Sequence, residues 1–440
     1  MSSIILENIG IAGKESGRFD IVIQDGFIRN ILPAGTYRSS GTGFSHGAGD
    51  YGRAGGDTGI IKCAGKTAVP GFINMHIHAA MTLMRGVGED IAFHQWIKRI
   101  WEVETAVDEE YVYWGTKVAG IEMLRTGTTT FNDHYWYPQA SRRAALELGL
   151  RPVVSHVLID HNDKSLSSRE KDVCTAEYER SLSWSDSGAF VLGLHSIYSV
   201  SEDLMQWASE FRKKHGLKLH IHLSETRKEV DDCIKAHGIS PVQYADRFGL
   251  LGPDTVAAHT LWLSDEDIDL LGRRGVSCVH NINSNLKLAS GYKFRYCELK
   301  DAGANVCIGT DGCASSNNLD ILEALKTAAM VQKAWRDDPS VMPLPELIDM
   351  ASANGAAALG LNTGAIEEGK EADILIVDTD NSFFLSPAPF LANFIYSAHS
   401  DSIDSVICRG RIVMHSREID GEKEILSEAR TMLEKIVRSR

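Results

Sequence analysis

Hairpin-like stretches at both chain ends, strands alternating with helices between them, and polar residues where those strands end together predict an α/β fold. The expected architecture is a (β/α)8 barrel of the TIM type over residues 65–359, with a small β-sandwich domain composed of residues 1–64 and 360–440. The 440 residues, 43% hydrophobic and 24% charged, suffice for a sizeable core. A net charge of −14 argues against nucleic acid or an anionic membrane as partner, because no basic excess exists to neutralise phosphates. Eight cysteines without C-x-x-C pairing read as reduced thiols. The chain has neither a leader-like opening nor an apolar run of the roughly 18 residues a membrane span needs, so a cytoplasmic location is expected.

The N-terminal strands are Ile4-Ile5-Leu6 and Asp20–Ile23, the second turning through Asp25-Gly26 into Phe27–Ile31. Residues 39–59 are so rich in Gly and Ser that they read as a surface loop; His46 within it would reach a site only if the loop folded over. An apolar run from Val69 then leaves a Pro-Gly turn and ends on His76-Ile77-His78. Alternate side chains of a strand share a face, so both imidazoles project together. Amphipathic helices are expected over Ile91–Glu104 and Glu110–Thr126, followed by a strand from Thr128 that leads to Asn132-Asp133-His134.

Later strands are Arg151–Ile159, Phe190–Leu194 ending at His195, and Leu217–Leu223 carrying His220 and His222. Thr255–Ala258 ends at His259, Val276–Val279 at His280 and Asn305–Gly309 at Thr310-Asp311. Helices Glu202–His215, Lys228–His237 and Asp265–Arg274 separate them. Pro345–Leu359 is expected to form one helix with proline in its first turn. A strand Ala372–Asp378, a hairpin Val406–Val413 and a C-terminal helix Ile425–Ser439 return the chain to the small domain.

A catalytic metal takes three or four nitrogen or oxygen ligands and keeps one position open. His76 and His78 from the first strand, a histidine from a middle strand and Asp311 from the last meet that count. Glu225, three residues beyond His222, is placed to carry protons without binding the ion. His220 shares a face with His222 and is the alternative ligand; the spacing to Glu225 favours His222.

These stretches resemble the amidohydrolase superfamily, in particular its branch of deaminases acting on S-adenosylhomocysteine, methylthioadenosine and adenosine. The similar segments are Pro70–His78, Met81–Gly86, Leu124–Thr130, His195–Ser199, His222–Thr226, Ala257–His259, His280–Leu288 and Gly309–Gly312. The resemblance implies one divalent metal, zinc first with iron the alternative, held by His76, His78, His222 and Asp311. It implies that Asp311 takes a proton from the attacking water, that Glu225 protonates the ring nitrogen beside the attacked carbon, and that His259 orients the water. Glu104 is similar to an acidic residue that holds ribose hydroxyls, with a solvated helix-end glutamate as the competing reading. His195 corresponds to a ring-contacting histidine, and Trp101 either packs beside the ligand or belongs to the core.

The expected reaction replaces an exocyclic amino group of a purine or purine nucleoside by a carbonyl and releases ammonia. The expected partners are a small heterocyclic substrate and water, and the resemblance implies a homo-oligomer. Relatives usually carry proline where this chain has Glu102, Ile197 and Ile282. The arginines expected for a homocysteine carboxylate have no match; the strand from Arg151 leads instead to His156 and His161. That lowers S-adenosylhomocysteine relative to adenosine or methylthioadenosine. Another heterocycle (guanine, a pterin or an s-triazine) is the alternative substrate, and a non-catalytic barrel the remote third reading. His134 is read as pocket-lining or structural, His280 as a support for the site, and Cys313 as packing.

Overall fold

The computed structural model describes residues 3–14, 16–39, 58–185 and 188–438. Five strands open the chain: β1 (Ser3–Ile11), β2 (Phe19–Gln24), β3 (Phe27–Pro33), β4 (Thr58–Lys62) and β5 (Lys66–Pro70). The turn between β2 and β3 has φ of 53° at Asp25 and 85° at Gly26, the left-handed pair its sequence calls for. β1 pairs with β2 from Ser3 to Ile9 and with β4 from Ser3 to Glu7, and its end pairs with β5.

Eight parallel strands follow in spatial order: β6 (Phe72–Ile77), β7 (Thr128–Asp133), β8 (Arg151–Leu158), β9 (Ala189–Leu194), β10 (Leu219–Leu223), β11 (Thr255–His259), β12 (Ser277–His280) and β13 (Asn305–Ile308). Helices including Phe93–Glu104, Glu109–Arg125, Glu202–His215, Arg227–His237 and Asp265–Arg274 run between them. At the closing seam, Asp311 N–H donates to the His76 carbonyl at 2.9 Å. Asn74 Nδ2 donates to Thr310 Oγ1 at 2.7 Å, and Thr310 N–H donates to Asn74 Oδ1 at 3.1 Å. The seam therefore ties the first histidine strand directly to the segment that carries Asp311.

A bulge between Asn74 and Ile77 interrupts strict alternation in β6. Ile73 and Met75 pack with Val153, Val191, Val256, Val279 and Cys307 in a buried cluster. His76, the next residue, turns instead toward the other histidines at the strand ends. Sequence alternation alone does not anticipate that change of phase.

The chain returns through β14 (Ile374–Asp378), β15 (Ile403–Cys408) and β16 (Arg411–Met414), giving the sheet order β16-β15-β14-β5-β1-β2-β3 with β4 beside β1. Leu6, Ile9, Ile21, Ile23, Ile374 and Ile407 are among the residues of its own apolar cluster. Pro70-Gly71 carries β5 straight into the barrel, and a Cβ on Gly71 would lie 2.5 Å from Thr129 Oγ1, so only glycine fits the junction. Beneath it Arg151, 1% exposed, pairs with Asp373 and Glu371 from the returning chain. The C-terminal helix Glu422–Arg438 packs on the helix Glu109–Arg125, where Arg125 Nε donates to Glu422 at 2.9 Å.

Two expectations are corrected. The helix expected over Pro345–Leu359 is two, Leu344–Ala351 and Ala353–Leu359. Ser352, at φ −142° and ψ −83°, breaks it and donates its hydroxyl back to the Ile348 carbonyl at 2.7 Å. The second helix swings under the barrel, where Gly355 lies so close to Ile73 and Met75 that a Cβ would come within 3.0–3.2 Å of their side chains. The Gly-rich stretch is shorter than expected, because Thr36–Ser39 is a short helix and Thr58 already begins β4. The rest of it, with His46, lies outside the described residues. Among the described residues no helix is long and apolar enough to cross a membrane.

Candidate active site

The polar residues at the strand ends converge on one cavity. His78 Nδ1–H donates to the His134 carbonyl at 2.6 Å, and His222 Nδ1–H donates to the His195 carbonyl at 2.8 Å. A ring whose Nδ1 carries the hydrogen presents an unprotonated Nε2 to the other side. The two Nε2 atoms lie 3.3 Å apart. His78 Nε2 is 3.2 Å and His76 Nε2 3.4 Å from the same oxygen, Asp311 Oδ1. His76 is fixed from behind, its Nδ1 2.9 Å from His220 Nε2. His220 therefore backs His76 and stands outside the group of facing Nε2 atoms.

Burial drives His76 and His222 below the usual histidine range, so their rings are neutral. Burial alone would lift the Asp311 carboxyl, but contact with His76 and His78 outweighs it and holds the group well below the carboxylate range. Ser284 Oγ donates to Asp311 Oδ2 at 2.6 Å and Gly312 N–H to Oδ1 at 2.8 Å. Despite its burial, the His78 ring is in turn drawn above the histidine range by Asp311, so positive charge is favoured between these groups, while buried His76 Nε2 makes no hydrogen bond. Imidazole nitrogens converging on one carboxylate oxygen form a donor set that suits a divalent metal. Two overlapping groups have ligand atoms within 4.8 Å of one another: His76, His78, Asp311 and His76, His222, His259.

Non-glycine residues at the strand ends take left-handed backbone: Ser224 at φ 54°, His259 at 71°, Thr260 at 40° and Asp311 at 64°. Such strain concentrates where side chains must be aimed. His259 N–H donates to Asn281 Oδ1 at 3.3 Å, and Asn285 Nδ2 lies 3.1 Å from His259 Nδ1. Burial pushes the His259 ring down to about 3, leaving it neutral. Glu225, 3.9 Å from His259 Nδ1, shows the opposite shift: burial first, then the charges of Asp311 and Glu229, raise its carboxyl well above the usual range.

The remaining wall comes from the helix Phe93–Glu104, whose Phe93, Trp96, Ile97, Ile100, Trp101 and Glu104 line the cavity. Trp101 is a cavity-wall residue, its ring 5.0 Å from His161 and 6.3 Å from His195. Glu104 accepts a hydrogen bond from Tyr135 Oη at 2.9 Å. Burial lifts its carboxyl to about 7, against the pull of Tyr135 and His78. His195 shares hydrogen bonds with Ser199 Oγ at 2.7 Å and Ser196 Oγ at 3.1 Å, and burial lowers it to about 3.

Nine residues singled out from sequence line this cavity (His78, Trp101, Glu104, His134, His195, His222, Glu225, His259 and Asp311), with His76 and, behind it, His220 at the donors. His134 lines it, fully buried, with neither ring nitrogen hydrogen-bonded. His280 lies apart from the donors, stacked on Phe294 at 4.1 Å, and buried Cys313 is a packing thiol. Sequence reasoning missed Tyr135, Trp96, Ile97 and Ile100. The signal of the last three was the apolar stripe of an amphipathic helix, which faces a core and a cavity alike, while Tyr135 follows the strand end at Asp133 and gave none.

The description of the amidohydrolase family matches residues 67–413. The chain is 43% identical over 382 residues to the 5'-deoxyadenosine deaminase of Methanoregula boonei, covering 86% of each chain. It is 40% identical to the 5-methylthioadenosine/S-adenosylhomocysteine deaminase 1 of Archaeoglobus fulgidus, covering 83% of this chain and 87% of that one. Among solved structures, an adenosine deaminase from Xanthomonas campestris with bound zinc superposes with a TM-score of 0.89 at 29% identity, over 100% of this chain and 99% of that one. The zinc complex of atrazine chlorohydrolase from Arthrobacter aurescens shares the fold, with a TM-score of 0.84 at 20% identity over 98% and 100% of the two chains.

Proposed function

Because the chain belongs to the amidohydrolase family and is a hydrolytic deaminase, we propose that it converts adenosine-type nucleosides with an apolar 5′ group into their 6-oxo products, releasing ammonia. The observation that carries the reading is the opposed pair of carboxyl groups: Glu225, pushed toward its protonated form by burial, beside Asp311, drawn against its own burial toward the carboxylate by His76 and His78. Two carboxyls driven apart in this way divide the work of acid and base.

His76, His78, His222 and Asp311 would hold one divalent metal, zinc by preference; the imidazole nitrogens converging on one carboxylate oxygen and the hydrogen-bond-free His76 Nε2 support this set. Such a metal lowers the pKa of bound water toward neutrality. Glu225 donates its proton to the ring nitrogen next to C6, which makes that carbon electrophilic. Asp311 accepts a proton from the water as its oxygen bonds to C6. His259, neutral, orients that oxygen. Asp311 passes that proton to the amino group, which leaves as ammonia as its bond to C6 breaks, and the C6 hydroxyl returns a proton to Glu225 as it becomes the lactam carbonyl. One water is consumed for each ammonia released.

At the ribose end, Glu104 accepts from the vicinal hydroxyls while Tyr135 holds its other side. His195 donates to or accepts from the base, and Trp101 forms the wall near the 5′ carbon. The described lining residues include no lysine or arginine. An amino-acid tail would bury its carboxylate there without a partner. That supports 5′-deoxyadenosine or methylthioadenosine over S-adenosylhomocysteine. The acidic net charge further supports a free nucleoside over a nucleic acid, in the cytoplasm.

The test is a nucleoside panel assayed for ammonia. We expect 5′-deoxyadenosine and methylthioadenosine to be turned over with higher kcat/KM than S-adenosylhomocysteine, and Glu225→Gln to slow turnover of all about 100- to 10,000-fold. A preference for guanine, a pterin or an s-triazine would refute the substrate assignment.

A further inference from the structure

Glu229 is a buried carboxylate that no step above uses. It stands in the first turn of the helix Arg227–His237, three residues after the N-cap Thr226, whose hydroxyl accepts from Glu229 N–H at 3.1 Å. In that register a glutamate ordinarily bends back to the backbone N–H of the N-cap itself. Glu229 reaches past it. Its Oε1 accepts from Ser224 N–H at 2.9 Å and its Oε2 from Glu225 N–H at 2.8 Å.

Ser224 is the joint between the strand that ends near His222 and the residue that carries the proton. It holds φ 54°, a conformation that costs a non-glycine residue about 1 kcal/mol and persists only where its surroundings enforce it. The enforcement comes from both sides. The Ser224 carbonyl accepts from Leu261 N–H at 3.1 Å and Trp262 N–H at 2.9 Å, while Glu229 takes the two N–H groups. The Leu261–Trp262 contact also ties the joint to the loop after His259.

We propose that Glu229 is a positioning residue for the deamination: by gripping the consecutive N–H groups of Ser224 and Glu225, it fixes the Glu225 carboxyl against the substrate's ring nitrogen. This rests on the reading of Glu225 as the proton donor. A helix cap alone has no reason to bypass its own N-cap N–H. Glutamine at 229 keeps the shape but offers one acceptor and turns an NH2 toward the second N–H, so the grip is lost without a cavity.

The experiment is a double-mutant cycle on the metal-loaded enzyme, with E225Q, E229Q and E225Q/E229Q measured in steady-state and single-turnover ammonia release from 5′-deoxyadenosine. We expect E229Q to lower kcat about tenfold to a hundredfold, with KM within about twofold and metal per chain unchanged. On the E225Q background the same change should cost less than about twofold, because the residue acts through Glu225. An E229Q kcat within about twofold of the parent, or the full loss repeated on the E225Q background, would overturn the proposal. Near-parental turnover by E225Q alone would instead overturn the reading of Glu225. Should E229Q aggregate, E229D, whose carboxylate is one methylene short of the joint, runs the same cycle under the same criteria.

Discussion

Raising the pH from 6 to 8 should strengthen nucleoside binding through one group, Glu104. Burial lifts its carboxyl to about 7, and the hydrogen bond from Tyr135 Oη pulls the other way without cancelling it. The folded-state value lies above the ordinary carboxylate, so the protonated form prevails below pH 7 and the carboxylate above it. Only the carboxylate accepts from both ribose hydroxyls while still accepting from Tyr135. With a value near 7, about a tenth of the sites are ionised at pH 6 and about nine-tenths at pH 8, so kcat/KM should rise about ninefold across that interval. Hydrogen bonds to a charged group contribute about 1.5–3 kcal/mol, so E104Q should lose about 10- to 150-fold in kcat/KM and flatten the profile. The assay is ammonia release from 5′-deoxyadenosine and from its 2′,3′-dideoxy analogue across pH 6–8. The analogue should show no Glu104-dependent rise and little loss in E104Q. A rise of equal size with the dideoxy analogue, or an E104Q loss that ignores the hydroxyls, would refute the diol role.

Two further outcomes follow from single contacts. Ser284→Ala removes the hydroxyl that donates to Asp311 Oδ2 at 2.6 Å and should weaken metal binding about 10- to 100-fold, read by competition with a chelator. Arg151→Met leaves Asp373, 2% exposed, without its cationic partner and should cost about 3–5 kcal/mol in denaturant unfolding. A loss of less than about 1 kcal/mol would mean that Thr363 Oγ1 and Arg409 N–H, which also donate to Asp373, suffice to hold that charge.

The barrel was legible because each strand is a short apolar run that ends on a polar residue, and helices of clear periodicity separate the runs. His76, His78, His222 and Asp311 could be collected from sequence because each sits where a run stops. Depth along a strand was less legible. His220 and His222 share a face by alternation, and only the folded chain separates them, one behind His76 and the other across from His78. The bulge in β6 has no sequence signature, since it depends on pairing with β7. The break at Ser352 was hidden for a similar reason. The sequence from Ala353 to Leu359 continues a good helix, and the turn is imposed by Gly355 seating against the barrel floor. The substrate pocket was the least legible part. An apolar stripe such as Trp96, Ile97 and Ile100 reads as core until the structure reveals the cavity in front of it. Glu229 escaped notice because its sequence register is that of an ordinary capping box.

The central claim is that hydrolytic deamination depends on one divalent metal held by His76, His78, His222 and Asp311. Its most direct test is the joint measurement of metal content and ammonia release from 5′-deoxyadenosine during chelation and reloading with zinc. The predicted result is that activity falls with bound metal, returns in proportion to zinc up to one equivalent per chain, and is lost together with metal binding in Asp311→Ala. Near-normal turnover in a metal-free preparation, or recovery only with two equivalents per chain, would contradict it.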